Sequence, residues 1–188
     1  MECFAARGYS GTTTREIAAR VGITEAALYR HFEGKESIYA AIIDRKMAVP
    51  ELVERLADVA AAGDDRALFS GLARLMLEAL QGDPAFVRIL LYTALEGHSL
   101  AEPFFRQRSA RLREFLTGYI ARRIREGAFR DVDPALASRA FIGMVWDYVL
   151  VRDVFRQEAH YPQSTETAAD TFVSLFLDGI VAQGASRG

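Results

Sequence analysis

Residues 24–35 read TEAALYRHFEGK and carry hydroxyl, carboxylate, imidazole and cationic groups among small positions. On a helix starting at Glu25, the first turn holds Glu25, Ala26 and Ala27, side chains short enough to bring a helix end close to a surface. Tyr29, Arg30, His31 and Lys35 follow. Such a set suits a polyanion. The first turn meets base edges in a major groove, while hydroxyl, imidazole and cationic groups around it hold phosphates. The N–H groups at the helix start favour phosphate oxygens as well. A solvated face on an ordinary helical hairpin would carry the same residues, so periodicity alone leaves both readings open. Catalysis finds no comparable foothold. The chain has no G-x-S-x-G, no phosphate-cradling G-x-x-x-x-G-K-[ST] and no dinucleotide G-x-G-x-x-G. His31, His98 and His160 are isolated, and no pair has metal-ligand spacing. No enzyme activity, metal or cofactor is expected.

The elements around this face are specified locally. Thr13-x-x-Glu16 has the spacing of a capping box, in which the hydroxyl accepts from the Glu16 amide and the carboxylate reaches back. The run TREIAARV then turns Ile17, Ala18 and Val21 inward and stops at Gly22, a residue suited to the left-handed conformation that ends helices. Thr24 caps the next helix, with Ile23 and Leu28 at the positions of a hydrophobic staple. Two capped helices joined by a short turn containing glycine make a helix-turn-helix, with Phe32 completing the inward face.

The stretch FAARGYSGTTTREIAARVGITEAALYRHFEGKESIYAAII, residues 4–43, closely resembles the DNA-binding domain of the TetR (tetracycline repressor) family of transcriptional regulators. The resemblance is carried by the G-Y-x-x-T-T run, the I-A-x-x-x-G-[IV] turn, the L-Y-x-H-F recognition helix and the K-E that follows. It implies that Thr14 and Arg15 meet phosphate and that Thr24, Glu25, Ala26 and Ala27 begin the recognition helix. It further implies that Tyr29, His31 and Lys35 hold the DNA backbone. Gly34 stands where the family often has serine, which predicts a weakened cap on the fourth helix. The first helix, MECFAAR, is barely two turns, so Met1 is expected to be an internal residue of a longer natural chain.

The rest of the chain reads as helix. Apolar residues recur at three and four positions, and nothing alternates with period two. The spacing predicts helices at about 1–7, 14–21, 25–32, 36–62, 66–81, 84–96, 104–126, 134–157 and 166–182. Pro50 falls inside the fourth of these and predicts a kink or break. That places a domain boundary there, between a DNA-binding domain at 1–46 and a ligand-binding and dimerisation domain at 47–188. At 188 residues the chain buries a sizeable core without staples, and its single cysteine excludes a disulfide framework within one chain. That agrees with a reducing cytoplasm. The longest apolar run, FIGMVW, stops at Asp147, far short of the ~20 residues of a membrane helix. No membrane partner is expected. The net charge of −2 excludes a generally basic coat, although residues 1–46 hold seven Lys/Arg against six Asp/Glu.

In the helix predicted at 104–126, an apolar stripe of Leu112, Phe115, Leu116, Tyr119 and Ile120 is surrounded by Arg106, Arg108, Arg111, Arg113, Arg122, Arg123 and Arg125. These arginines form a solvated face, or one or two of them steer an acidic ligand. The last two helices are apolar nearly all round, and such helices need cover on both sides. A second copy is the natural cover, and in the TetR family this pair typically forms an intersubunit four-helix bundle. Phe141, Val145, Val149, Phe172, Val173, Phe176 and Ile180 are therefore expected at a homodimer interface. A pocket between bundle helices is expected from Phe86, Leu90, Leu116, Tyr119, Met144 and Tyr148. Asp147 is either paired with an arginine or open to a ligand donor. With the resemblance, these readings predict an all-α homodimeric regulator, a repressor that binds a palindromic operator and is released by a small, largely apolar molecule. The alternative is a helical small-molecule-binding or interaction protein that no longer binds an operator.

Overall fold

The computed structural model describes residues 1–46, 49–96 and 109–181, and every regular element among them is a helix. These are α1 (Glu2–Arg7), α2 (Thr14–Val21), α3 (Glu25–Tyr29), α4 (Lys35–Lys46), α5 (Val49–Ala62), α6 (Asp65–Gln81), α7 (Pro84–Leu95), α8 (Ser109–Arg125), α9 (Pro134–Val149) and α10 (Thr165–Ile180). Helix α9 continues as a π-helical turn over Leu150–Val154. Across the expected 36–62 the described residues form α4, to Lys46, and α5, from Val49; the kink or break expected near Pro50 falls on residues 47 and 48, which lie outside the described residues. His98, Arg106 and Arg108 lie outside the described residues.

The helices group into two compact units that are not contiguous in sequence. One comprises residues 1–48 and 83–108, the other residues 49–82 and 109–188. The linear division at residue 46 therefore differs from the spatial grouping, because α7 joins α1 in the first unit.

In the first unit, Phe4, Ile17, Ala18, Leu28, Ile38, Tyr39, Ile43, Val87 and Ile89 are buried. The Tyr39 ring meets Phe4 edge-on at 4.8 Å and Tyr9 at 5.3 Å. Its hydroxyl lies 2.6 Å from that of Thr93 and donates to the Ile89 carbonyl at 3.1 Å. A phenol is tolerated in this core because its oxygen has partners on α7.

In the second unit α6 packs on α10, α5 on α6 and α8, and α9 on α6, α8 and α10. Phe69 of α6 is its hub, with ring centroids of Phe141 and Phe176 both at 4.8 Å and of Tyr119 and Phe129 farther out. Arg123 reaches both oxygens of Asp65, at 2.8 and 2.9 Å, and the Tyr119 hydroxyl donates to Asp65 at 2.6 Å. Helix α9 with its π turn spans 21 residues and is apolar enough by length and composition to cross a membrane, which the interrupted run FIGMVW does not suggest. Its inward residues Phe141, Val145 and Val149 are instead fully buried in the unit's core.

Three expectations are corrected here. Val21 is 64% exposed, because periodicity marks a face without saying how far a neighbour extends along it. Phe141, Val145, Val149, Val173, Phe176 and Ile180 are all covered by their own chain, so they form the core of one protomer and not a face left for a partner. Leu116 and Tyr119 are likewise closed in, and the Tyr119 hydroxyl is committed to Asp65.

Candidate functional site

The helix-turn-helix is built by side chains that complete the ends of its helices. Thr13 accepts from the Glu16 amide at 3.2 Å, and the Glu16 carboxylate accepts from the Thr13 amide at 3.0 Å. That backbone bond, aided by the Thr13 hydroxyl and Arg7, holds the Glu16 carboxyl below the usual range against the opposing effect of burial. Gly22 adopts φ 76°, ψ 28°, and the following Ile23 amide donates back to the Ala18 carbonyl at 3.0 Å. Such a left-handed cap turns the chain within two residues. Thr24 then caps α3 by accepting from the Ala27 amide at 3.1 Å.

Helix α3 is pinned to α2 by polar groups. The Thr14 hydroxyl donates to the Glu25 carboxylate at 2.5 Å and lies 3.2 Å from the Tyr29 hydroxyl. Three of the expected DNA-binding groups are thus partly occupied in positioning the two helices. Arg15, Arg30 and His31 are exposed, and no hydrogen bond or ion pair engages their side chains among the described residues. Ala26 is exposed and Ala27 half-buried on the first turn of α3. Oriented N–H groups, a low first turn and unpaired cations together fit a phosphate backbone around a groove.

Lys35 departs from expectation. Its ammonium donates to the carbonyls of Tyr9 at 2.7 Å and Thr12 at 2.8 Å, and it sits 4.2 Å from the Tyr9 ring centroid. An ammonium has three N–H donors, so little of it is left for phosphate. Gly34 departs too: Ser37 accepts from its amide at 3.2 Å and donates to its carbonyl at 2.8 Å, which restores the cap from the far side.

The expected pocket residues fall in two places. Phe86 and Leu90 are buried in the first unit, whereas Met144, Asp147 and Tyr148 belong to the second. Met144, Asp147 and Tyr148 line a cavity of about 250 Å³ with Val151, Tyr161 and Phe172. Tyr148 meets Tyr161 and Phe172 edge-on at 6.0 and 5.5 Å. The Tyr148 hydroxyl is buried without a hydrogen-bond partner. Asp147 forms no ion pair among the described residues, so the arginine pairing is not made. Of the arginines on α8, Arg123 is bound to Asp65, and Arg122 donates to the Ala60 carbonyl. Val151 and Tyr161 were missed because a π turn and an irregular segment place them, and neither has a periodic signature.

Two family models cover most of the chain. Residues 1–42 match the model for bacterial regulatory proteins of the tetR family, and residues 69–179 match the AefR-like transcriptional repressor C-terminal domain. The transcriptional repressor KstR2 of Rhodococcus jostii is 30% identical over 184 residues, covering 95% of this chain and 86% of that protein. The chain belongs to the TetR family. It is a helix-turn-helix transcriptional regulator. Among solved structures, the TetR regulator PfmR from Thermus thermophilus superposes with a TM-score of 0.73 at 25% identity, covering 93% of this chain and 92% of that one. AibR, solved with isovaleryl coenzyme A and operator DNA, shares the fold with a TM-score of 0.69 at 24% identity, over 92% of this chain and 90% of that one. Glu25 and Lys35 are engaged within the chain, Glu25 with the Thr14 hydroxyl and Lys35 with the Tyr9 and Thr12 carbonyls.

Proposed function

We propose that this regulator is a homodimeric repressor that binds an inverted-repeat operator and releases it when a small molecule occupies the second unit. The observation that carries the DNA half is the set of unpaired Arg15, Arg30 and His31 around a capped α3. The effector site is the cavity of Met144, Asp147, Tyr148, Val151, Tyr161 and Phe172, which suits a largely apolar guest with one polar group for the Tyr148 hydroxyl. Acyl-coenzyme A thioesters are the first class to screen, because AibR was solved with one of them and its operator. Release is a population shift: tenfold weaker DNA binding requires ~1.4 kcal/mol of differential effector affinity. A regulator of this kind works in the cytoplasm, where its DNA lies.

The partner protomer is met by the outward sides of α9 and α10, where Leu136 and Leu175 are 70% and 64% exposed. Leu175→Glu should then give monomers in sedimentation with the helical spectrum retained, whereas an unchanged dimer would place the interface elsewhere. Selection from a random DNA pool tests the whole reading. Recovery of sites with two-fold symmetry, and a steep fall of log K with log salt, are the expected results. Binding that is weak at every sequence would favour the alternative, a helical binding protein without an operator.

A further inference from the structure

The turn that leads into α2 is gripped from two directions. Its N–H groups point at α7: the Glu96 carboxylate accepts from the Tyr9 amide at 3.1 Å and the Ser10 amide at 3.3 Å. Its carbonyls point at α4, where Lys35 takes those of Tyr9 and Thr12. The buried Thr12 hydroxyl closes the turn on itself through the Gly8 carbonyl at 2.8 Å. Gly8, at φ +70°, leaves the opening through which Glu96 enters, since a Cβ there would lie 2.1 Å from the carboxylate. Thr13, the cap of α2, follows directly, and then Thr14 and Arg15.

We propose that Glu96 is a positioning residue for operator binding: with Lys35 it clamps the Gly8–Thr13 turn and so fixes where the start of α2 stands. The inference rests on the DNA-binding role of α2 and α3. It also assigns a task to α7. This helix lies in the first unit, yet in sequence it is bounded by two segments of the second, residues 49–82 and 109–188. Glu96, the residue that holds the turn, directly follows the last residue of this helix, Leu95.

Electrostatics alone predicts the opposite sign. Removing a carboxylate from a DNA-binding unit should strengthen binding to a polyanion, because it removes repulsion. The clamp predicts weaker binding. The test uses the full chain and the site that the unmodified chain selects from random DNA, titrated across a salt series. Glu96→Gln should bind about tenfold more weakly, with the slope of log K against log salt unchanged, because no phosphate contact is lost. Lys35→Met should behave in the same way. Arg15→Ala, as the reference, should lower the slope by ~0.9, the value of one phosphate.

Glu96→Gln binding as tightly as the unmodified chain, or more tightly, overturns the clamp. A slope change of ~0.9 for Lys35→Met returns that lysine to the DNA backbone and overturns its part. Failure of the unmodified chain to select any site would count against the operator reading itself. If Glu96→Gln does not fold, amide hydrogen exchange on the unmodified chain decides. The Tyr9 and Ser10 amides should be protected despite the exposed position of Ser10, and exchange at the rate of open loops would refute the proposal.

Discussion

In the first unit a buried tyrosine ends on a hydrogen bond; in the second a buried phenylalanine ends on other rings. Tyr39 reaches Thr93 and Ile89, and around it the turns are closed by Thr13, Glu16, Thr24, Lys35 and Glu96 bonding to backbone. Phe69 meets the rings of Phe141, Phe176, Tyr119 and Phe129, and a polar cluster, Asp65 with Arg123 and Tyr119, joins the ends of α6 and α8. Directional bonds fix angles and distances, which a unit that must match the spacing of DNA requires. Aromatic packing instead contributes buried apolar area, and with it stability. A break in the first unit should therefore appear in DNA affinity before it appears in stability, and the reverse should hold in the second.

The largest expected effect is on the aromatic hub. Phe69→Ala should cost ~3–5 kcal/mol in urea denaturation, with operator affinity kept wherever the protein remains folded. Asp65→Ala comes next. It strands a largely buried Arg123 and the Tyr119 hydroxyl, and should cost about 2–3 kcal/mol, below the range for a fully buried pair because both side chains are 19% exposed. In the first unit, Thr13→Ala removes half of the capping box and should cost only ~1 kcal/mol, yet weaken operator binding more than Phe69→Ala does. Equal DNA affinity in the two variants would erase the contrast between the units.

The smallest effect is one of pH. Burial, then the Asp65 hydrogen bond and charge, raise the Tyr119 hydroxyl above its ordinary value of 10.0. The folded state therefore holds this proton more tightly than the unfolded chain. Its contribution is complete below about pH 10 and declines as the pH rises further, by roughly 0.8 kcal/mol at pH 10.5. Tyr119→Phe should flatten that part of the alkaline stability profile. An unchanged profile would show that other tyrosines, Tyr9 and Tyr39 among them, carry it.

How far each part could be read from sequence follows the same division. The capping box at Thr13 and Glu16, the left-handed Gly22 and the Thr24 cap were legible because each is an interaction within a few residues, where spacing is geometry. The helical class followed from periodicity for the same reason. The intrachain bonds of Lys35 were not legible because its partners, the carbonyls of Tyr9 and Thr12, lie 26 and 23 residues away. Glu96 was missed because 87 residues separate it from Tyr9. No pattern links positions so far apart.

The sequence by itself determined an all-helical chain, the residues that start and stop the DNA-reading helices, and the apolar character of α9 and α10. It did so because backbone dihedral preferences, capping and helical period act over a turn or two. Only the tertiary structure decided that α7 belongs with the first unit, that Phe141, Val145 and Phe176 are covered by their own chain, and that the cavity gathers Tyr161 with Tyr148 and Phe172. Burial is a property of what lies across a surface. A helix apolar on all sides shows that it must be covered twice, and packing chooses which neighbour covers which face.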